Sequence, residues 1–129
     1  MESKDVWEKK KRVCIIDDDA NIREIYLTKF NQEGFDVSLA MNGEEGLKVI
    51  RETKPDIILL DLQMPIMSGV EVLDVLHKDP EFSKIPVIVL TNIDHEDAFR
   101  KVGKFETRFY LIKSLTTPQK AVDYVREVL

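Results

Sequence analysis

Residues 57–61 read IILLD, four consecutive aliphatic side chains followed by an aspartate. A short continuous apolar run is typical of a parallel strand that is covered on both faces. Three similar runs also end in polar residues: 13–16 (VCII) before Asp17 and Asp18, 87–90 (VIVL) before Thr91, and 109–112 (FYLI) before Lys113. If these runs are neighbouring parallel strands, their carboxyl ends lie at one edge of the sheet, so we expect these polar side chains to converge there. Ligands of open α/β folds bind at this edge.

Helical patterns alternate with these runs. Ile22, Tyr26 and Phe30 recur at helical spacing before a further strand pattern at 35–39. More helices are predicted over 42–51, around 70–76, over 94–102 and from Pro118 onward, where Val122, Val125 and Leu129 are predicted to form the buried stripe. The sequence therefore predicts an α/β domain with five strands and five helices.

The composition is that of one globular domain, with a net charge of −5 over 129 residues. This charge argues against direct nucleic-acid binding, for which a basic patch is usual. Residues 1–11 are rich in charge, so we interpret them as an N-terminal extension to a domain that spans 12–129. The chain shows no leader-like or membrane-spanning apolar stretch, and its single cysteine, Cys14, lies within a strand run. We therefore expect a cytoplasmic protein that contacts no membrane.

The predicted carboxyl edge suits phosphoryl chemistry. Asp17, Asp18 and Asp61 would bring three negative charges together, which is unfavourable unless a cation binds, and a few hard oxygen ligands suit Mg²⁺. The central Asp61 is the candidate nucleophile toward phosphorus, because the metal and Lys113 can offset the charge of an incoming phosphoryl group. Thr91 can donate its hydroxyl to one phosphoryl oxygen, and Lys113 can pair with another.

Four segments carry a resemblance to a known family: CIIDDD at 14–19, DLQMPIMSG at 61–69, VLT at 89–91 and YLIK at 110–113. With these segments in this order and spacing, residues 12–129 resemble the receiver domain of bacterial two-component response regulators. The resemblance implies a flavodoxin-like, doubly wound parallel sheet with strand order 2-1-3-4-5 and five helices.

By this resemblance, Asp61 accepts a phosphoryl group from a phosphohistidine on a sensor histidine kinase or a phosphotransfer protein. The protein would be a signalling domain and not an enzyme. The only reactions it would catalyse are its own phosphorylation and its slow self-dephosphorylation. The resemblance assigns Mg²⁺ to the side chains of Asp17, Asp18 and Asp61 and to the backbone carbonyl of Gln63. It assigns the phosphoryl oxygens to Thr91 and Lys113.

The family also implies a conformational switch. The hydroxyl of Thr91 moves toward the phosphoryl group and Tyr110 turns inward, which changes the face formed by helix 4, strand 5 and helix 5. That face would contact a downstream protein target or an output domain outside this sequence. It is also a candidate homodimer surface.

Several residues near the site depart from the family pattern. Ser114 follows Lys113 where most receivers have a cis proline, and Asn92 is larger than the usual small residue. Both departures alter the surroundings of the acceptor. Gln63 and the apolar Ile93 occupy positions that influence hydrolysis in the family, and Ile93 offers no polar group to orient water. These two residues predict a long-lived phosphoaspartate.

The segment before the fifth strand departs as well. Residues 103–108 read GKFETR and lack the glycine–alanine pair that is common there. This predicts that helix 4 ends early, at Gly103, and that the output surface is unusual. Phe99, Val102 and Phe105 form an apolar face that would belong either to the core or to a dimer surface, and the core is the favoured prediction.

Two other interpretations stay open. A degenerate receiver would bind partners without being phosphorylated, as the departures at Asn92 and Ser114 would allow. A Mg²⁺-dependent phosphohydrolase of the haloacid dehalogenase type would use Asp17 as nucleophile, because residues 17–19 form an Asp-x-Asp pattern after a strand. That class needs a later acidic pair, whereas only Asp123 and Glu127 follow Lys113. It also leaves Asp61 unexplained.

Overall fold

The computed structural model of the chain describes residues 9–129. Most of the predicted N-terminal extension, residues 1–8, therefore lies outside the described residues. The five strands are β1 (Arg12–Ile16), β2 (Asp36–Ala40), β3 (Ile57–Leu60), β4 (Val87–Thr91) and β5 (Phe109–Ile112). The five α-helices are α1 (Ala20–Gln32), α2 (Gly43–Thr53), α3 (Gly69–His77), α4 (His95–Val102) and α5 (Pro118–Val128). Two short 3-10 turns, Gly103–Phe105 and Lys113–Leu115, flank β5.

All four strand pairs are parallel, and the order across the sheet is β2-β1-β3-β4-β5. The predicted doubly wound, flavodoxin-like α/β fold with five helices is thereby confirmed. The order reverses at β1, so the carboxyl ends of β1 and β3 border the crevice where such folds bind ligands.

The core lies on both faces of the sheet, because successive strand residues point to opposite sides. On one face, Cys14 and Ile16 pack with residues of α2, α3 and α4. On the other, Val13 and Ile15 pack with residues of α1 and α5. Full burial of each aliphatic side chain contributes about 2 kcal/mol. This double coverage explains why the central strands are continuously apolar.

Polar residues begin each helix directly after a strand or loop. The side chains of Asp19, Asn42, Ser68, Asp94 and Thr117 each accept a hydrogen bond from a backbone N–H in the first turn. Such a cap stabilises a helix by about 1 kcal/mol. These caps fix where the helices start relative to the carboxyl edge of the sheet.

Two predictions about apolar residues were wrong. Leu129 is 44% exposed, because it is the C-cap of α5 and lies beyond Val125, the last buried residue of that helix. Phe99 is 65% exposed, whereas Ala98 and Val102 are fully buried. Residues 98 and 102 are four apart and share one face of α4, and residue 99 is rotated by about 100° from 98.

The early end of helix 4 is confirmed, since α4 ends at Val102 with Gly103 as its C-cap. The bond between Lys113 and Ser114 is trans, as are all peptide bonds of residues 9–129. Lys113 opens the 3-10 turn Lys113–Leu115 before α5. The departures at residues 103–108 and at Ser114 therefore lie in the two segments that flank β5.

Candidate functional site

Neighbouring parallel strands bring two of the acids to the same level. Asp17 follows β1 and Asp61 follows β3, and these strands pair with Ile16 opposite Leu60. The Asp61 N–H donates to the Ile16 carbonyl at 3.0 Å, and the Asp17 N–H donates to the Ala40 carbonyl of β2 at 3.0 Å. Ladder-like backbone bonds thus hold both acids at the carboxyl edge.

Asp17, Asp18 and Asp61 form a compact acidic cluster. One carboxylate oxygen from each lies within 4.8 Å of the other two. Asp17 and Asp61 are 1% and 4% exposed, whereas Asp18 is exposed. Mg²⁺ is bound in proteins by a small number of carboxylate oxygens together with several waters, so it needs one open side. The residues present therefore fit a magnesium site.

Lys113 reaches this cluster from the segment after β5. Its Nζ lies 2.9 Å from Asp17 Oδ1, 2.8 Å from Asp17 Oδ2 and 3.0 Å from Asp61 Oδ2. One ammonium thus bridges two buried carboxylates that follow different strands. Removing one partner of a buried ion pair leaves an uncompensated charge, so the three side chains depend on one another.

Burial and this bridge together set the pKa values. Burial alone would lower the pKa of Lys113, but hydrogen bonds to Asp17 and Asp61 outweigh it and raise that pKa, so the ammonium stays charged. Burial raises the pKa of Asp17, and the hydrogen bonds from Lys113 and the Asp19 N–H oppose this rise without cancelling it. A further cation beside Asp17 would favour its charged form.

Thr91 and Tyr110 lie on the two adjacent strands. Thr91 ends β4, is 1% exposed, and its Oγ1 accepts a long hydrogen bond from the Ile93 N–H at 3.4 Å. Tyr110 lies opposite Val89 in the β4–β5 pair and is half-buried. Its ring packs edge-on against Phe99, with the ring centroids 6.4 Å apart. The hydroxyl and the aromatic ring therefore lie on the side of the site that leads to α4.

The loop between β3 and α3 holds Gln63 close to Asp61. The Gln63 N–H donates to Asp61 Oδ1 at 3.3 Å, and the Gln63 side chain is exposed. Gly69 closes the loop by donating its N–H to the Leu62 carbonyl at 3.1 Å. A Cβ at Gly69 would overlap the Asp61 carbonyl oxygen. Glycine is therefore required here to leave the backbone of Asp61 in place.

Sequence reasoning missed Arg23, which lies in α1. Its Nη1 donates to the Asp17 carbonyl at 2.7 Å, so this side chain ties α1 to the acidic loop. On the same helix, the buried Tyr26 places its hydroxyl 3.5 Å from the Thr116 carbonyl, in the segment that follows Lys113. The spacing of three residues puts Arg23 and Tyr26 on one face of the helix, and this signal is present in the sequence.

The model of one protein family, the response regulator receiver domain, matches residues 13–126 of this chain. The chain belongs to the response regulator receiver domain family. Receiver domains of response regulators are signalling domains of two-component systems. The match covers every strand pair of the sheet and the acids at its carboxyl edge.

Two relatives of this receiver domain are longer proteins. The DNA-binding response regulator MtrA of Mycolicibacterium paratuberculosis is 38% identical over 82 residues, which cover 64% of this chain and 35% of MtrA. The regulator ycf27 of Porphyridium aerugineum is 39% identical over 122 residues, which cover 93% of this chain and 48% of ycf27. The matched part is thus less than half of each relative.

Solved structures of receiver domains have the same fold. The receiver domain of the Francisella response regulator 1452 is 28% identical and has a TM-score of 0.83, covering 92% of this chain and 96% of that one. The chemotaxis protein CheY4 of Vibrio cholerae has a TM-score of 0.86 at 22% identity, covering 94% and 100% of the two chains. Among residues 9–129, no helix has both the length and the apolar composition needed to span a membrane.

Proposed function

We propose that this receiver domain is a phospho-accepting switch in which Asp61 takes a phosphoryl group from a phosphohistidine. The donor would be a sensor histidine kinase or a phosphotransfer protein. The observation that carries the proposal is the bridge made by Lys113, whose ammonium lies within 3.0 Å of Asp61 Oδ2 and of both Asp17 oxygens. A movable cation held beside a buried carboxylate is what a phosphoryl group entering this site requires.

The chemistry transfers one phosphoryl group between two side chains. A carboxylate oxygen of Asp61 forms a bond to phosphorus while the bond from phosphorus to the donor imidazole nitrogen breaks, and the imidazole keeps the electron pair. Lys113 then pairs with a phosphoryl oxygen in place of Asp61 Oδ2. The hydroxyl of Thr91, bound only loosely by the Ile93 N–H at 3.4 Å, donates to another phosphoryl oxygen.

Mg²⁺ would be held by Asp17, Asp18, Asp61 and the backbone carbonyl of Gln63. When bound, it supplies positive charge that offsets the repulsion between the acidic cluster and the phosphoryl group. Asp18 is the exposed member of the cluster, so the ion would enter from solvent on the Asp18 side. Backbone hydrogen bonds made by Asp17 and Asp61 hold these two buried acids at the carboxyl ends of β1 and β3.

The switch would pass from Thr91 to Tyr110 and the face formed by α4, β5 and α5. Tyr110 is half-buried against Phe99, so the two rings would rearrange together. Phe99 and Leu115 are 65% and 78% exposed and offer an apolar surface to a downstream protein, an output domain or a second copy of the chain.

The phosphoaspartate would be long-lived. Gln63 and Ile93 line a groove of about 710 Å³ beside Asp18, and the apolar Ile93 provides no polar group to orient an attacking water. We also propose that residues 12–129 form the receiver unit, preceded by the extension 1–11. Its location would be cytoplasmic, since a sensor kinase forms its phosphohistidine where ATP is available.

The proposal is tested by intact mass after incubation with acetyl phosphate, with and without Mg²⁺. The wild type is compared with Asp61→Asn and with Asp123→Asn, which removes an exposed acid of α5. We expect one phosphoryl adduct that depends on Mg²⁺ in the wild type and in Asp123→Asn, and none in Asp61→Asn.

Other outcomes would favour the two alternative functions. Absence of any adduct from the wild type would favour a degenerate receiver that binds partners without phosphorylation. An adduct that survives in Asp61→Asn but is lost in Asp17→Asn would favour a phosphohydrolase that uses Asp17.

A further inference from the structure

A second group of polar residues lies at the opposite end of the sheet, where β4 and β5 begin. A cavity of about 510 Å³ opens there between the end of α3, the segment before β4 and residues 105–108 before β5. Small-molecule sites have volumes of roughly 300 to 1,000 Å³. The cavity is separate from the acidic cluster, which lies at the carboxyl ends of the strands.

One wall of this cavity comes from the segment that departs from the family pattern. The 3-10 turn Gly103–Phe105 places the Phe105 ring edge-on against His77, with centroids 5.7 Å apart. Glu106 then adopts the left-handed region with a φ of 58°. The Arg108 N–H donates to a β4 carbonyl at 2.9 Å. An aromatic contact and a backbone hydrogen bond therefore fix this wall in position.

The interior of the cavity has an apolar floor. Leu73, Leu76 and Phe82 line it and are 3%, 4% and 5% exposed. Thr107 also lines it, but its Oγ1 is buried inside the wall and has no accessible surface through which a ligand could bond to it. The floor therefore offers apolar contact, and polar recognition must come from the rim.

The rim of the cavity is positively charged although the chain as a whole has a net charge of −5. Lys84 and Arg108 line it and are exposed, and neither forms an ion pair with any other described residue. His77 adds a third nitrogen-bearing side chain, and Glu106 is the one acid among the lining residues. Unpaired cations around an apolar floor are complementary to an anion with an apolar body.

We propose that this cavity binds a small amphipathic anion, with a flat apolar body against Leu73, Leu76 and Phe82. Its anionic oxygens would face Lys84 and Arg108 at the rim. This inference does not depend on phosphorylation of Asp61. Its ligand would contact Arg108, which directly precedes β5 and lies two residues before Tyr110 of the proposed switch.

The test titrates naphthalene-1-carboxylate into the ¹⁵N-labelled chain and follows the backbone amides by NMR. The matched ligand control is naphthalene-1-carboxamide, which keeps the ring and removes the charge. We expect saturable shifts confined to residues 73–77, 82–87 and 105–108 with the carboxylate, and about tenfold weaker binding of the carboxamide.

Protein variants separate this site from general hydrophobic binding. Arg108→Gln and Lys84→Gln should each weaken binding of the carboxylate by about tenfold. Lys120→Gln, which removes an exposed cation from α5, should leave it unchanged. All three positions are exposed, so each variant should fold as stably as the wild type. Equal binding of both ligands, shifts elsewhere in the protein, or no saturable binding would overturn the proposal.

Discussion

At the carboxyl edge of the sheet, Asp17 and Asp61 are 1% and 4% exposed and share the ammonium of Lys113, whereas on the α4–β5 face Phe99 and Leu115 are 65% and 78% exposed. At the edge, each buried charge is compensated by its neighbours, so removing one leaves another unpaired. On the face, the exposed apolar side chains can be changed without leaving a buried group unpaired. A charge added at the edge must therefore rearrange its neighbours. A change on the face alters what can bind there and leaves the fold intact.

Replacing the bridging cation should have the largest effect. Lys113→Met keeps the apolar stem but leaves Asp17 and Asp61 buried without a counter-charge, so we expect a loss of about 3 kcal/mol in the free energy of unfolding. Mg²⁺ should restore part of it, because binding to the folded state alone is stabilising. Urea unfolding with and without Mg²⁺ measures both effects, and Lys120→Met is the matched surface control. An unchanged unfolding midpoint would show that the bridge is unimportant.

Two glycine substitutions compare a position that faces backbone atoms, Gly69, with one that faces an exposed side chain, Gly103. Gly69→Ala would force a Cβ into the Asp61 carbonyl oxygen, so we expect a loss of about 2 kcal/mol and slower phosphorylation by acetyl phosphate. Gly103→Ala meets only the exposed Phe99 ring, at 3.1 Å, and should change stability by less than about 0.5 kcal/mol. Thermal or urea unfolding of both variants checks this. Equal losses would mean that the loop before α3 can relax.

Two positions on α4 test the face itself. Val102→Ala opens space in the core and should cost about 2 kcal/mol, because Val102 is fully buried. Phe99→Ser should cost less than about 0.5 kcal/mol but should weaken self-association or partner binding through the face. Unfolding and sedimentation measurements separate these effects. If Phe99→Ser were as destabilising as Val102→Ala, the ring would belong to the core.

The smallest expected effect concerns the thiol of Cys14. Burial raises its pKa from 9.0 to about 11, despite a hydrogen bond with Ser38 that lowers it. The folded state therefore holds this proton more tightly than the unfolded state, so its contribution to stability is lost as pH rises from 9.0 to about 11. At pH 8 we expect a thiol reagent to label the protein only after unfolding. Rapid labelling of the native protein would contradict this burial.

The sequence predicts the sheet well because its central strands are buried on both faces and are therefore continuously apolar. Four apolar runs, each ending in a polar residue, are enough to predict which groups lie at the carboxyl edge. The resemblance then supplied the strand order, which the structure confirms. Local patterns carry this information since burial on both sides leaves little freedom in residue choice.

The remaining features depend on distances between segments that no local pattern encodes. The exposure of Phe99 depends on which face of α4 meets the sheet. Ala98 and Val102, at positions i and i+4, form that buried face, so the larger Phe99 side chain is left exposed. The helical spacing of Arg23 and Tyr26 is visible in the sequence, but the contact of Arg23 with the Asp17 carbonyl depends on how α1 leaves its cap. The cavity around Thr107 forms only where three separate segments meet. These features follow from how separate segments pack in three dimensions.

The central claim is that Asp61 is the acceptor, and chemical marking of the phosphorylated residue tests it most directly. Borohydride reduces an acyl phosphate to an alcohol, so a phosphorylated aspartate becomes homoserine, which peptide mass spectrometry can locate. After treatment with acetyl phosphate and Mg²⁺, our account predicts homoserine at position 61 and none at positions 17 or 18. Homoserine at position 17, or at no position while the protein is folded and Mg²⁺ is present, would contradict it.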